Sequence, residues 1–336
     1  MKEISSHGTA RRRMLMAAGS VVPLLWSTRL LAASGKRLQW GSATLGSTGY
    51  VIIETFTHIA NKYTDIRNSA LATSGTTENI VLLNADQLDL GQSASVDWGP
   101  AVAGMPPFKE PTRAQQMFSY TTWAMPPIVR ADSDIQSISD LQGRRASPGA
   151  AGASTRAIWE PIFSAAELQD KIRWSYGSWR EIYDAFKSGS LECVPALLVN
   201  GMPSAIVQEL MMSEDIRVLD IPADVMTKAQ SINAGITAIP GADANWDLPS
   251  LDDDVLLPGS SGILAAHPDL DPDMAYALTK AIFEHEQEAK TISKELSGLD
   301  LALATRYLVP GVPVNAGAAR YFKEQNVWRD DLQVAE

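Results

Sequence analysis

Chemistry-bearing residues in this sequence sit in small-residue runs. The densest run, residues 147–163 (SPGAAGASTRAIWEPIF), carries Gly, Ala, Ser and Thr directly into an apolar-periodic helix. Ser154 or Thr155 is placed to cap that helix. Its first turn then offers unpaired N–H groups and the positive end of a dipole, a seat for a carboxylate or phosphate. Arg156 follows the cap and is the candidate carboxylate clamp, with Arg130 and Arg180 as alternatives. Similar runs stand at residues 43–50 (ATLGSTGY) and 74–79 (SGTTEN), and Asn200 opens a further polar corner, NGMP.

Signatures of other chemistries are missing. There is no GxxxxGK[ST] phosphate loop, no GxSxG elbow and no HExxH, which argues against nucleotide hydrolysis, acyl transfer on a serine and zinc proteolysis. His58, His267 and His285 are scattered, and the HEQE stretch from His285 reads as an exposed helix face. Asp252, Asp253 and Asp254 read as a solvated turn, because a calcium loop needs more oxygen ligands at regular spacing. The single cysteine, Cys193, lies in the apolar run LECVPALLV. It forms no disulfide framework and reads as a buried, inert thiol. The expectation is a binding protein with no catalytic residues, no metal and no cofactor.

The chain has 336 residues, 45% of them hydrophobic and 20% charged, enough for two lobes with separate cores. Arg11, Arg12 and Arg13 precede Met14, Leu15 and a mostly apolar segment interrupted by Arg29 and ending in Leu-Ala-Ala-Ser. That pattern is an export signal over residues 1–34, of twin-arginine or ordinary secretory type. Its removal takes away Lys2, Arg11, Arg12, Arg13, Arg29 and Glu3, moving the formal charge from −11 to −15. So acidic a chain is a poor partner for nucleic acid or anionic lipid, and no stable membrane insertion is expected after cleavage. The mature protein is expected in the periplasm.

The elements that must position these corners follow from periodicity. Residues 37–42 read as a strand, followed by a helix with Ile52, Phe56, Ile59, Ala60 and Tyr63 inward. Strands at 68–73 and 87–92 flank a second helix with Ile80, Leu82 and Leu83 inward. Residues 98–111 read as a Gly/Pro-rich connection, and 117–131 as an extended segment entering a second lobe. There, short strands at 144–147 and 172–176 precede a Ser178–Glu181 capping box and its helix. Residues 193–199 read as a central parallel strand, 223–257 as irregular, and 261–267 as a strand returning to the first lobe. A helix starts at Asp271-Pro272, with Met274, Leu278, Ile282 and Phe283 inward. The fold class is α/β in two lobes, each a sheet flanked by helices. Residues 35–122 and 259–336 are assigned to the first lobe and 123–258 to the second with its crossing segments.

The chain resembles the TAXI class of TRAP transporter solute-binding proteins from Leu38 to about Trp328. The resemblance is carried by GSATLGSTGY, TSGTTENIVLLNADQLDLGQ, RADSDIQSISDLQGRR, PGAAGAST and GVPVNAGAARYFKEQ, in that order. Departures are Gly46-Ser47 where the family has two glycines, Gly152-Ala153-Ser154-Thr155 where it has Gly-Ser-Gly-Thr, and Asn315 where it has His. The resemblance implies a two-lobed periplasmic binding protein fold (type II-like), with the ligand cleft between lobes that close on a small organic anion, such as glutamate or 2-oxoglutarate, and deliver it to TRAP membrane permease subunits driven by an ion gradient. An ABC-importer receptor or a sensor of the same architecture is the alternative, and an enzyme on that fold a third. The expected ligand contacts are Thr44, Gly46, Ser47, Thr48, Tyr50, Thr73, Ser74, Thr76, Asn79 and Trp123, closed upon by Gly152, Ala153, Ser154, Thr155, Arg156 and Asn200. Tyr50 and Trp123 are the aromatic walls.

Overall fold

The computed structural model describes residues 37–150, 154–252 and 254–336. The expected export signal, and Gly152 and Ala153, therefore lie outside the described residues. Strand β1 (Arg37–Gly41) alternates exposed and buried positions and sinks Leu38 and Trp40 into the core, as a pleat of period two requires. Helix α1 (Thr48–Tyr63) is capped by Ser47 and buries Ile52, Ile53, Phe56, Ile59 and Ala60; each such large apolar side chain contributes about 1.5–3 kcal/mol. Tyr63 instead sits outside the core and stacks on His285, ring centroids 3.3 Å apart. β2 (Arg67–Leu71), α2 (Thr76–Asn84) and β3 (Leu90–Ala94) repeat the pattern. β2, β1 and β3 lie side by side in parallel, so their strand-to-helix corners gather along one edge.

Beyond β3 the structure departs from the expected connection at 98–111: α3 (Ser95–Ala103) begins at once and contains Pro100. A proline inside a helix frees the carbonyl four residues earlier. Asn233 Nδ2 takes that Val96 carbonyl at 3.0 Å.

β4 (Gln115–Ala124) and β5 (Pro127–Arg130) lead into the second lobe. There β6 (Arg145–Ala146), α4 (Ser154–Ala165), β7 (Arg173–Trp174) and α5 (Trp179–Lys187) follow. The expected central parallel strand at 193–199 is instead two short pieces, β8 (Val194–Pro195) and β9 (Leu198–Val199), antiparallel to β5 and β4 respectively. Pro195 has no N–H to continue a ladder, which confines it to a strand end or edge. β10 (Met202–Pro203), α6 (Ala205–Met211) and β11 (Ile216–Val218) complete this part. The stretch expected to be irregular holds α7 (Ala223–Ile232), with Val225, Met226 and Ala229 buried, and β12 (Thr237–Pro240).

β13 (Leu256–Ala266) then runs antiparallel to β4 along its length and pairs with β3 on its other side. α8 (Pro272–Glu284) is capped by the Asp271 carboxylate, which accepts from the N–H groups of Asp273 and Met274 at 2.8 and 3.1 Å. α9 (Glu286–Ile292), a 3-10 turn at Lys294–Leu296, α10 (Leu301–Arg306) and α11 (Ala316–Glu324) close the first lobe.

The first lobe's core includes Trp40, Phe56, Phe118, Leu264, Ile282 and Phe322. Two further clusters fill the second lobe: one around Val129, Trp159, Phe163 and Met226, the other around Ile128, Ile182, Phe186 and Trp246. β4 and β13 belong to both sides. Phe118 and Leu264 lie in the first core, while Ala124 and Leu257 lie in the third. These paired strands carry the connection between lobes. Among the described residues, no helix is long and apolar enough to cross a membrane.

Candidate ligand-binding cleft

The corners of the parallel strands open onto a cleft of about 830 Å³. The α1 corner supplies Ala43, Thr48 and Gly49; the α2 corner supplies Ser74, Gly75, Thr76, Thr77 and Glu78. Gln92 of β3 and Val96, Asp97 and Pro100 of α3 form the floor, flanked by Pro106, Pro107 and Phe108. Opposite stand Trp123, Ser154, Ala157, Leu197, Val199 and Ser204, with Glu295 at one side. Gly75 has φ of 130°, a conformation that side chains oppose and that lets the chain turn into α2. A Cβ at Gly49 would meet the Gln92 side-chain amide, which would have to shift.

Of the residues selected from the sequence, Thr48, Ser74, Thr76, Trp123 and Ser154 line this cleft. Most of the other described ones bond within the protein around it. Ser47 caps α1, its Oγ accepting from the Tyr50 N–H, and the Tyr50 hydroxyl donates to Glu54 at 2.9 Å. Thr44 and Gly46 are exposed outside the lining. Thr73 Oγ1 donates to the Ser42 carbonyl at 2.8 Å. Asn79 is fully buried and donates to the carbonyls of Ser42 and Gln92 at 2.8 and 2.9 Å, tying two strand ends together.

In the second lobe, Thr155 is 1% exposed and its hydroxyl faces Met125 Sδ at 3.1 Å. Arg156 bonds Glu160 through Nε at 2.7 Å and stands over the Tyr176 ring. Arg130 is held by Glu214 at 3.0 Å. Asn200, at φ 48°, accepts from the Thr121 hydroxyl and the Thr122 N–H, each at 3.0 Å, and donates to the Glu295 carbonyl at 3.0 Å.

Several lining residues were not selected. Asp97 is the most telling: β3 ends at Ala94 rather than at Gln92, so Ser95 and Asp97 stand in the first turn of α3, at a strand-to-helix corner like the others. Thr77 and Glu78 lay inside a recognised run. Leu197 and Val199 lie within the broken strand and Ser204 follows it. Glu295 arrives on a 3-10 turn that nothing in the sequence marked.

The charged groups of the described lining are Glu78, Asp97 and Glu295; no Lys, Arg or His joins them there. Burial pushes the Asp97 carboxyl above the usual carboxylate range, while bonds from the Thr76 hydroxyl, the Ala94 N–H and the Thr77 hydroxyl pull the other way. Glu78 is held below its ordinary range by the Ser74 hydroxyl and N–H, at 2.7 and 2.5 Å. Cys193 is buried away from the cleft, and burial pushes its thiol up, so it is inert, as a desolvated thiol should be. Among the described residues no cluster of His, Cys, Asp and Glu is placed to hold a metal ion.

This fold is similar to that of a TctC solute-binding protein from Polaromonas, at 11% identity and a TM-score of 0.50, over 78% of this chain and 86% of that one. The periplasmic aliphatic sulphonate-binding protein SsuA from Escherichia coli matches at 17% identity and a TM-score of 0.47, over 87% of this chain and 91% of that one. The first likeness gives the architecture a frame: two lobes, joined by crossing strands, on either side of a cleft. The sequence itself matches the model of the NMT1-like family across residues 40–325. The chain has the two-lobed fold of periplasmic solute-binding proteins and belongs to the NMT1-like family.

Proposed function

We propose that this chain is an exported solute-binding protein that closes its lobes on one small carboxylate, dicarboxylate or amino acid and delivers it to a membrane permease. The observation that carries the reading is the cleft: about 830 Å³, lined by strand-to-helix corners of both lobes, with β4 and β13 as the connection about which they close. A cavity of this size encloses a small metabolite. No covalent step is asked of the lining. The motifs shared with TAXI proteins make a TRAP permease, driven by an ion gradient, the partner in this reading, and the basic and apolar N-terminal stretch supports export.

A melting-temperature screen against carboxylates, dicarboxylates and amino acids tests the binding step. A solute at about 100 times its dissociation constant adds about 2.7 kcal/mol of stability; no shift with any of them would contradict the reading. Uptake into vesicles carrying the permease should require an ion gradient and no ATP. A need for ATP would instead mark an importer receptor.

A further inference from the structure

We propose that the solute selected by this cleft carries a protonated amine, seated at the wall formed by Asp97 and Glu78. This narrows the solute-binding reading above and rests on it. The first observation is the sign of the lining. Glu78, Asp97 and Glu295 face a common space without a described Lys, Arg or His among them, and carboxylates only accept hydrogen bonds. A second carboxylate brought against that wall meets like charge at close range, whereas an ammonium supplies three donors and the missing positive charge.

The second observation is independent: much of the side-chain donor capacity of the first lobe's corners is already used within the protein. Thr77 Oγ1 donates to Asp97 at 3.1 Å and Ser74 Oγ to Glu78 at 2.7 Å. Thr73 Oγ1, Asn79 Nδ2 and Gln92 Nε2 all converge on the Ser42 carbonyl at 2.8 Å. Phe108 and Trp123 also line the cleft, and aromatic faces attract cations. On the far side, the Ser204 hydroxyl lines the cleft and is buried without a hydrogen-bond partner, open to a second polar group of the solute. The second lobe's arginines are not in the lining, Arg130 lying against Glu214 and Arg156 against Glu160.

The experiment uses a small-metabolite extract separated on ion exchangers at acid pH, where nitrogen-free carboxylic acids pass through a cation exchanger. The fraction retained on the cation exchanger should raise the melting temperature of the protein. The Asp97→Asn variant should remain folded and bind the solute of that fraction at least tenfold more weakly, with Glu78→Gln showing the same direction. Calorimetry in buffers of different ionisation heat adds a readout that a structural role would not move. An ammonium favours the ionised form of Asp97, facing Glu78 from α2 and Glu295 from the 3-10 turn, so binding should release protons. A shift produced only by the pass-through or the anion-retained fraction would overturn the amine and leave the solute-binding reading standing. Undiminished binding in both variants, or proton uptake, would overturn the seat. No shift with any fraction would overturn both readings.

Discussion

Around the cleft, single side chains hold strand ends and turns in place by bonding to the protein itself. Asn200 is the clearest case: one amide satisfies the Thr121 hydroxyl and the Thr122 N–H, and reaches the Glu295 carbonyl across to the 3-10 turn. Asparagine also tolerates the left-handed backbone found there, at φ 48°. Asn200→Ala should therefore lower stability by about 2–4 kcal/mol, read as a lower urea midpoint with unchanged slope. Thr155 is likewise a packing residue, buried against Met125. Thr155→Ala should lower stability by about 1–2 kcal/mol and change solute affinity by less than about twofold, an energy difference well under 1 kcal/mol. A large loss of affinity at unchanged stability, measured by calorimetry and denaturation together, would return this residue to the ligand.

Helices whose ends carry explicit signals were legible. Ser178 and Glu181 form the capping box that their spacing predicted, with the Ser178 N–H and hydroxyl donating to Glu181 at 2.7 and 2.8 Å. The Asp271-Pro272 start of α8 and most of the apolar faces of α1 and α8 were legible for the same reason, each being written in local chemistry, although Tyr63 and Met274, expected inward, are not buried. What escaped is set by distant partners. α3 accommodates Pro100 because Asn233, far along the chain, takes the freed carbonyl. The apolar run at 193–199 splits between strands in different sheets because Pro195 interrupts its ladder. Of the cleft, the first two corners were legible and Asp97 was not, because a strand end misplaced by two residues hides a corner. Two expectations belong to this scale. Ser178→Ala should lower stability by about 1 kcal/mol. The cap bonds also hold the Glu181 carboxyl below its ordinary value of 4.5, the Ser178 N–H first among them. That contribution is complete above about pH 4.5 and is lost as pH falls through the lowered folded-state value. Glu181→Gln should therefore lower the neutral region of the stability–pH curve slightly and flatten its acid limb, the two proteins converging at low pH.

For the molecule as a whole, two long antiparallel strands join lobes whose cores are otherwise separate. Their pairing is polar inside: the Ser261 hydroxyl on β13 donates to the Thr121 carbonyl on β4 at 2.9 Å, and the Ser261 N–H donates to the Ser95 hydroxyl at 2.9 Å. The first of those bonds ties the two strands together where the lobes meet, so in the proposed reading closure over a solute bends β4 and β13 rather than separating them. Shifts of register on that pairing, between Gly262 and Ile263 and between Leu264 and Ala265, fall beside these serines. The central claim is that one small solute is held between the lobes. Ser154 lies at the start of α4, exposed and facing the cleft, so Ser154→Trp fills the space without disturbing either core. The most direct measurement is the melting temperature of the chain and of this variant, each with and without an unfractionated small-metabolite extract. The extract should raise the melting temperature of the unmodified chain and leave that of Ser154→Trp where it was. An equal rise in both proteins, or no rise in either, would contradict the account.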